Sequence, residues 1–511
     1  MRQWAMGNGQ WGTREQESAE RPIADCPLPI AGSRVLVIGL GIEGVALTRF
    51  LAGQGARVTV NDARSSDQLT ARLAELDGVR FTPAFGHHNP ALVKDIDAVY
   101  VSQGVPLSLP LIGEARRRGV PVGSIATLLF EICPGSITGI TGSAGKTTTT
   151  SLVNAILERS GRPHILAGNI GAWPLDALAA ATPDTFVVAE ISHTQLQLTK
   201  RSPHVACITN VTPNHLDQFS WSEYVDLKRN LIRYQTPRDV AVLNLDNPET
   251  RGFLRDTSAE LLWFSLGSDL PGDGAYVRDG MIVWRHNGEE VQVIRSDESR
   301  LRGRHNVENV LAAIAVAGAC GIPMTIAGEA VRAFRGVPHR LEPVATLHGI
   351  TFVNDSIATA PERTLAGMRS FDEPIVLLLG GRDKNLPLDE LAAECGRRCR
   401  AVLCFGEAGD LFAGAIRAAA GRGPMTVRRT DTVDDALAQA ARLARAGDVV
   451  LFAPAGTSFD AYPNFERRGD HFRRLVAALA GESRTEHGTA APPPPARTTP
   501  PPLPERQEQH R

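Results

Sequence analysis

Short apolar runs, each closed by a glycine-rich or polar turn and followed by apolar residues at helical spacing, recur along the chain. Val35-Leu36-Val37-Ile38 ends in Gly39-Leu40-Gly41-Ile42-Glu43-Gly44, and apolar positions then fall at Val45, Leu47, Phe50 and Leu51. A second run, Val58-Thr59-Val60, leads to Asp62, and Ala98-Val99-Tyr100-Val101 runs into Ser102-Gln103-Gly104. Strand, glycine turn, helix, strand predicts the start of a parallel, doubly wound sheet. The pattern restarts at Ile137-Thr138-Gly139-Ile140-Thr141, with helical spacing at Leu152, Val153, Ile156 and Leu157 and strand-like runs at 186–189, 205–208 and 240–243. It restarts again at Ile375-Val376-Leu377-Leu378-Leu379, followed by runs at 401–405 and 449–452.

Both ends break the pattern. Residues 1–30 have no periodicity and no apolar core of a signal peptide. Residues 484–511 are rich in Pro and Thr, holding eight of the 34 prolines between Pro492 and Pro504. Such composition buries too little apolar surface to offset chain entropy, so both ends are expected to be disordered. The 511 residues then divide into three α/β domains in series, at 31–132, 133–335 and 336–483. The first and last are expected to be Rossmann-like and the central one of P-loop ATPase type. Val310 to Gly328 carries no charge, but Gly321-Ile322-Pro323 breaks it, so a buried helix and turn is expected there in place of a membrane span.

Charge adds an exclusion. Lys+Arg 54 against Asp+Glu 56 leaves a net of −2, without the basic excess that nucleic acid binding wants. Seven cysteines (Cys26, Cys133, Cys207, Cys320, Cys395, Cys399, Cys404) are too few for a disulfide scaffold. Cys395, Cys399 and Cys404 lack a second pair at zinc-like spacing, so they read as buried thiols of a reducing, cytoplasmic setting.

Two loops carry candidate chemistry. The Gly39-x-Gly41-x-x-Gly44 turn lets backbone N–H groups approach a diphosphate, and Asp62, 21 residues beyond Gly41, stands where a ribose-binding acid would sit. This pattern fits NAD, another nucleotide diphosphate, or a turn that only packs helix on strand. Gly142-Ser143-Ala144-Gly145-Lys146-Thr147-Thr148 is more specific, because its glycines free N–H groups for phosphates, Lys146 reaches outer oxygens and Thr147 can ligate Mg²⁺. Ile140 stands where a strict Walker A motif has its first glycine. Two nucleotide-type loops in one chain argue against a simple dehydrogenase. Downstream, Glu190, His215, Asp217 and Lys228 supply residues from which a metal site can be built, although each also reads as an ordinary surface charge.

In combination these motifs resemble a known family. Gly139-Ile-Thr-Gly-x-x-Gly-Lys-Thr147, Glu190-Ile-Ser, Asn210…His215-Leu-Asp217, His305-Asn306…Asn309 and Asn354-Asp355-Ser356 resemble the ATP-dependent Mur ligases. Pro454-Ala-Gly-Thr-Ser-Phe-Asp460 and Asn464-Phe-Glu-Arg-Arg-Gly469 resemble their glutamate-adding, MurD type. The resemblance runs in order from about residue 33 to 480.

The resemblance implies a monomeric ligase that adds D-glutamate to UDP-N-acetylmuramoyl-L-alanine, through an acyl phosphate, for peptidoglycan synthesis. It implies that Gly41, Ile42, Glu43, Arg64 and Gly104 hold the UDP, with Asn169 and His215 near the sugar diphosphate and reacting carboxyl. ATP would lie on 142–148, with Asn306, Asn309 and Arg340 toward the adenine and Asp355 at the domain junction. Lys146, His215 and Lys228 would be catalytic. Two Mg²⁺ would be served by Thr147, Glu190, His215 and a Lys228 carbamylated by CO₂. Thr359, Lys384, Ser458 and Phe465 would hold the glutamate. An L-glutamate ligase and an NAD-dependent oxidoreductase are the alternatives. Four positions depart from the family's pattern: Ser143-Ala144, His193-Thr194, Asn214, and Ile357 in place of a lysine. Arg363 and Arg382 are the cations available to replace that lysine.

Overall fold

The structure is a computed structural model and describes residues 30–486 except 171–172, 215–217, 302, 385 and 421–424. Most of the two terminal extensions expected to be disordered therefore lies outside the described residues. Residues to Val337 form one compact unit and those from Pro338 a second.

The first unit opens with five strands, β1 (Arg34–Ile38), β2 (Arg57–Asp62), β3 (Thr82–Phe85), β4 (Ala98–Val101) and β5 (Val122–Gly123). They pair in parallel in the order β3-β2-β1-β4-β5. β1 is buried on both faces, as its unbroken apolar run requires of a central parallel strand. The chain leaves β1 toward β2 and returns on its other side as β4. The crevice at the C-terminal ends of β1 and β4 is thus the sheet's switch point, and it holds the 39–44 turn and the 102–104 loop.

The same unit contains a nine-stranded sheet. Its strands are β6 (Ser136–Thr141), β7 (His164–Gly168), β8 (Phe186–Glu190), β9 (Val205–Ile208), β10 (Val240–Asn244), β11 (Glu260–Ser265), β12 (Gly274–Arg278), β13 (Met281–His286) and β14 (Glu289–Arg295). The order is β14-β13-β12-β11-β10-β9-β6-β8-β7, parallel except for the β12-β13-β14 meander. β6 lies between β8 and β9, so Gly142–Gly145 emerges at this sheet's switch point.

Helix Lys146–Ser160 follows that loop, and its Leu152, Val153, Ile156 and Leu157 share one core with Val310–Val316 of helix Arg304–Ala319. The uncharged stretch is thus a buried helix, a turn, and a second helix Met324–Ala333. Among the described residues no helix is long and apolar enough to cross a membrane. Trp284 of β13 lies against Gly318 of the long helix, where any Cβ would come closer than 3.0 Å to the indole.

The second unit has one six-stranded sheet: β15 (Glu342–Leu347), β16 (Ile350–Asn354), β17 (Ile375–Gly380), β18 (Cys399–Phe405), β19 (Thr426–Arg429) and β20 (Val449–Ala455). The order is β15-β16-β20-β17-β18-β19, with only β15 antiparallel. Cys395, Cys399 and Cys404 are buried in this unit, and burial pushes the Cys404 thiol up to about 12. Among the described residues no group of three His, Cys, Asp or Glu side chains could hold a metal ion.

Candidate active site

The loop after β6 is held open from beneath. Gly145 has φ +82, in the left-handed region, and a Cβ there would overlap Asn309 Oδ1. Asn309, expected on the adenine side, also stands as a wedge under the loop. It is 5% exposed, donates to Asn306 Oδ1 at 3.0 Å, and accepts from Thr149 Oγ1 at 3.4 Å. On the other flank Ala144 N donates to Asn210 Oδ1 at 2.9 Å, and Thr209 Oγ1 donates to Ala144 O at 2.6 Å. Ser143 N donates to Asn210 O at 2.9 Å, and Ser143 Oγ donates to Thr212 O at 3.0 Å. These bonds leave the first-turn N–H groups of helix 146–160 at the loop, an arrangement that suits anions. Lys146 Nζ donates to Gly142 O at 3.0 Å and Ser143 O at 3.2 Å, curled over the hollow of the loop.

Beside the loop lies an unusual lysine. Ser220 and Glu223 form a reciprocal capping box that starts helix Trp221–Arg233. Its inward face is Tyr224, Val225, Lys228, Leu231 and Ile232, so Lys228 occupies a position whose spacing calls for an apolar residue. Lys228 is 1% exposed, and its ammonium donates to Thr141 Oγ1 at 3.2 Å. Burial, then the neighbouring Lys146 charge, hold its pKa well below the ordinary lysine value against the pull of Glu190. Glu190, at the end of β8, is 2% exposed, and its Oε2 has no hydrogen-bond partner among the described residues. Asn169 N donates to Glu190 O at 2.9 Å, which places the exposed Asn169 next to that strand end. His215, together with Asp217, lies outside the described residues.

At the first sheet's switch point Ile42 is 61% exposed at the head of its helix, and Gly104 lies in the facing loop with φ +90. Asp62 is not open to a ribose. Its carboxylate accepts from Leu40 N at 2.8 Å, Arg64 N at 2.9 Å and Arg64 Nη2 at 2.8 Å. Burial alone would raise its pKa, but the bonds from Arg64 and Leu40 bring it down to about 2. Glu43 also turns inward, accepting from Gln103 N at 2.7 Å and Gln195 Nε2 at 2.6 Å.

Known protein families match the chain in three successive stretches. The family "Mur ligase MurD-like, N-terminal domain" matches residues 33–124, "Mur ligase middle domain" 140–317, and "Mur ligase, glutamate ligase domain" 339–456. A UDP-N-acetylmuramoylalanine–D-glutamate ligase of Symbiobacterium thermophilum is 41% identical over 451 residues, 88% of this chain and 98% of that protein. The chain belongs to the Mur ligase family. A ligase of the same name from Geobacillus kaustophilus is 39% identical over 87% of this chain and 98% of its own. Among solved structures, the UDP-N-acetylmuramate-alanine ligase MurC of Thermotoga maritima aligns with TM-score 0.54 at 19% identity, covering 88% of this chain and 99% of that one. A pseudomurein peptide ligase type C from Methanothermus fervidus aligns with TM-score 0.50 at 18% identity, over 88% and 100%. These two share the fold.

The second unit of this Mur ligase gathers the remaining positions. Lys384 Nζ donates to Thr359 Oγ1 at 3.3 Å, and burial, then the Arg363 charge, hold the Lys384 pKa below its ordinary value. Ser458 is 2% exposed, and Phe465 meets His339 edge-on with centroids 6.0 Å apart. Asp355 accepts from Leu341 N at 3.0 Å, and burial lifts it to about 6 despite that bond and the charges of Arg340 and Arg363. Of the two cations considered for the lysine replaced by Ile357, Arg382 is paired with Glu407 at 2.9 Å. Arg363 lies within electrostatic reach of both Asp355 and Lys384.

Two residues given no role in the sequence reading stand out. Arg468 is fully buried and donates to Ser356 O at 3.3 Å, Gly456 O at 3.0 Å and Thr457 O at 3.0 Å, tying together the loops that carry Asp355 and Ser458. Gln195 is 1% exposed between the first and central sheets. Its Ser192-x-x-Gln195 capping box was visible in the sequence, whereas a buried arginine leaves no local pattern.

Proposed function

We propose that this Mur ligase joins D-glutamate to UDP-N-acetylmuramoyl-L-alanine at the expense of ATP, with the residues above in the following roles. The observation that carries the reading is Lys228, an amine sealed beneath the phosphate loop beside a carboxylate oxygen that no described residue satisfies. A lysine whose pKa is lowered by burial offers more of its free amine, the form that is nucleophilic toward CO₂. Formation of the N–C bond by the free amine, with loss of one proton, gives a carbamate anion, so that an anionic group in place of an amine faces the Lys146 charge.

The residues present fit a divalent cation. Glu190 Oε2 is buried and unpaired among the described residues, Thr147 offers a hydroxyl, and carbamylated Lys228 would add oxygens, the donor type Mg²⁺ takes. Thr147, Glu190, Lys228 and His215 would hold two such ions. When bound, they offset the negative charge of the phosphates and of the attacking carboxylate.

The chain's own groups account for the rest. N–H groups of 142–148 cradle the ATP phosphates, and Lys146 leaves the carbonyls of Gly142 and Ser143 for phosphate oxygens. The substrate carboxylate attacks the γ-phosphorus, ADP leaves, and an acyl phosphate results. The glutamate amine then attacks the acyl carbon, loses a proton, and displaces inorganic phosphate. Ile42, Arg64, Gly104 and Asn169 line the UDP-sugar path, and Ile42 supplies an exposed apolar surface for a base. Lys384 meets the glutamate side-chain carboxylate, with Thr359, Ser458 and Phe465 around it.

The test is phosphate release with UDP-N-acetylmuramoyl-L-alanine and ATP, run separately with D- and L-glutamate. Release dependent on D-glutamate is expected. Equal rates with L-glutamate would overturn the stereochemical assignment, and no release with either would overturn the reaction.

A further inference from the structure

The inward turn of Glu43 is at odds with a residue whose task is to touch UDP. It sits in the first turn of helix Ile42–Gly53 and is 7% exposed, and both its oxygens are used inside the protein. Oε2 accepts the Gln103 N–H at 2.7 Å, which anchors the loop carrying Gly104. Oε1 accepts from Gln195 Nε2 at 2.6 Å, across the boundary between the first and central sheets.

Gln195 in turn receives Ser192 N on its Oε1 at 2.8 Å, and its own N–H donates to Ser192 Oγ at 3.3 Å. Ser192 is two residues beyond Glu190. The Gln195 carbonyl is gripped as well, by Thr199 Oγ1 at 3.0 Å and by Ser124 Oγ of the first domain at 3.5 Å. One buried relay therefore runs from the Gly104 loop through Glu43, Gln195 and Ser192 to the end of β8.

We propose that Glu43 and Gln195 form a positioning pair that holds the UDP turn in register with the strand end carrying Glu190. Neither touches substrate; they set where the substrate's carboxyl arrives relative to the ATP phosphates. The inference rests on the ligase reading above.

Donor and acceptor roles allow a sharp test. Glu43→Gln leaves an NH₂ facing either Gln195 Nε2 or Gln103 N–H, a donor against a donor whichever way the amide is turned. Gln195→Glu sets two acceptors against each other. The reciprocal swap, Glu43→Gln with Gln195→Glu, restores every pairing. The new amide at position 43 then donates to the new carboxylate at position 195 and accepts from Gln103 N. The second oxygen of that carboxylate accepts from Ser192 N.

The experiment is steady-state phosphate release on the full chain, with kcat and KM for the UDP-sugar substrate and for ATP. Each single variant should lose about tenfold to a hundredfold in kcat/KM for the UDP-sugar, with KM for ATP within about twofold of the parent. The swap should return to within about threefold of the parent. A merely structural role would reduce the active fraction, and so kcat, with both KM values unchanged. That outcome overturns the proposal, as does a swap no better than the worse single variant.

Direct contact of Glu43 with UDP predicts a normal Gln195→Glu enzyme and no rescue, which also overturns it. Should a single variant not fold, Glu43→Asp is read in its place. It keeps the carboxylate one methylene short of Gln195, and an unchanged KM for the UDP-sugar refutes the pair. Failure of the ligase reading would show separately, as absence of phosphate release from the parent itself.

Discussion

Gly145→Ala is a perturbation whose cost follows from the structure. The residue has φ +82, where a Cβ costs about 1–2 kcal/mol, and that Cβ would overlap Asn309 Oδ1. Asn309 is packed from both sides, so it yields only by weakening its bonds to Asn306 at 3.0 Å and Thr149 at 3.4 Å. These bonds are worth about 1 kcal/mol together or somewhat more, which brings the total to roughly 2–4 kcal/mol. If ATP binds the loop in the conformation described, that penalty falls on binding. KM for ATP should rise about thirtyfold to several hundredfold.

The assay is phosphate release against ATP concentration, with KM for the UDP-sugar substrate as the internal control. Combining Gly145→Ala with Asn309→Ala removes the clash and leaves the backbone strain, so the double variant should lose less than the sum of the two single losses. A Gly145→Ala enzyme whose KM for ATP stays within about threefold of the parent would refute the reasoning. Full additivity in the double variant would refute the wedge.

Other predictions follow from the same geometry. Lys228→Ala should abolish amide formation while UDP-sugar binding, read by calorimetry, survives; full activity would remove the carbamate from the mechanism. Asp355 is lifted from 3.8 to about 6, so the folded state holds its proton more tightly than the unfolded chain does. Its contribution to stability is present below about pH 4 and is lost as pH rises to about 6, on the order of 3 kcal/mol. Asp355→Asn should flatten that part of the curve of thermal midpoint against pH, and an unaltered slope would count against it. Arg468→Lys keeps a charge but cannot fork to three carbonyls. It should lower stability by about 2–4 kcal/mol in denaturant unfolding and raise KM for glutamate, and a neutral result would contradict the clamp.

What was legible in the sequence was whatever is local. Buried parallel strands such as β1 and β17 are unbroken apolar runs, and the phosphate loop is contiguous, so both could be read directly. The β12-β14 meander escaped because Glu289–Arg295 mixes charge with apolar residues on a half-exposed edge, where the pattern is weak. Asn309 was picked out as a site residue, but its support of Gly145 was not legible, because that contact joins positions far apart in the chain. Glu43 and Asp62 were found by position, but the direction of a carboxylate depends on partners such as Gln195 and Arg64 that motif spacing does not supply.

The contact of Trp284 with Gly318 has a consequence for how such enzymes diverge. The helix that ends near Gly318 carries Asn309 in its first half, so the indole on the meander bears on the same helix as the wedge beneath the phosphate loop. A larger residue at 318 would push the helix away from the indole, unless the tryptophan were lost at the same time. The two positions should therefore be inherited as a pair, and a change at a peripheral strand becomes a change in the grip on a nucleotide.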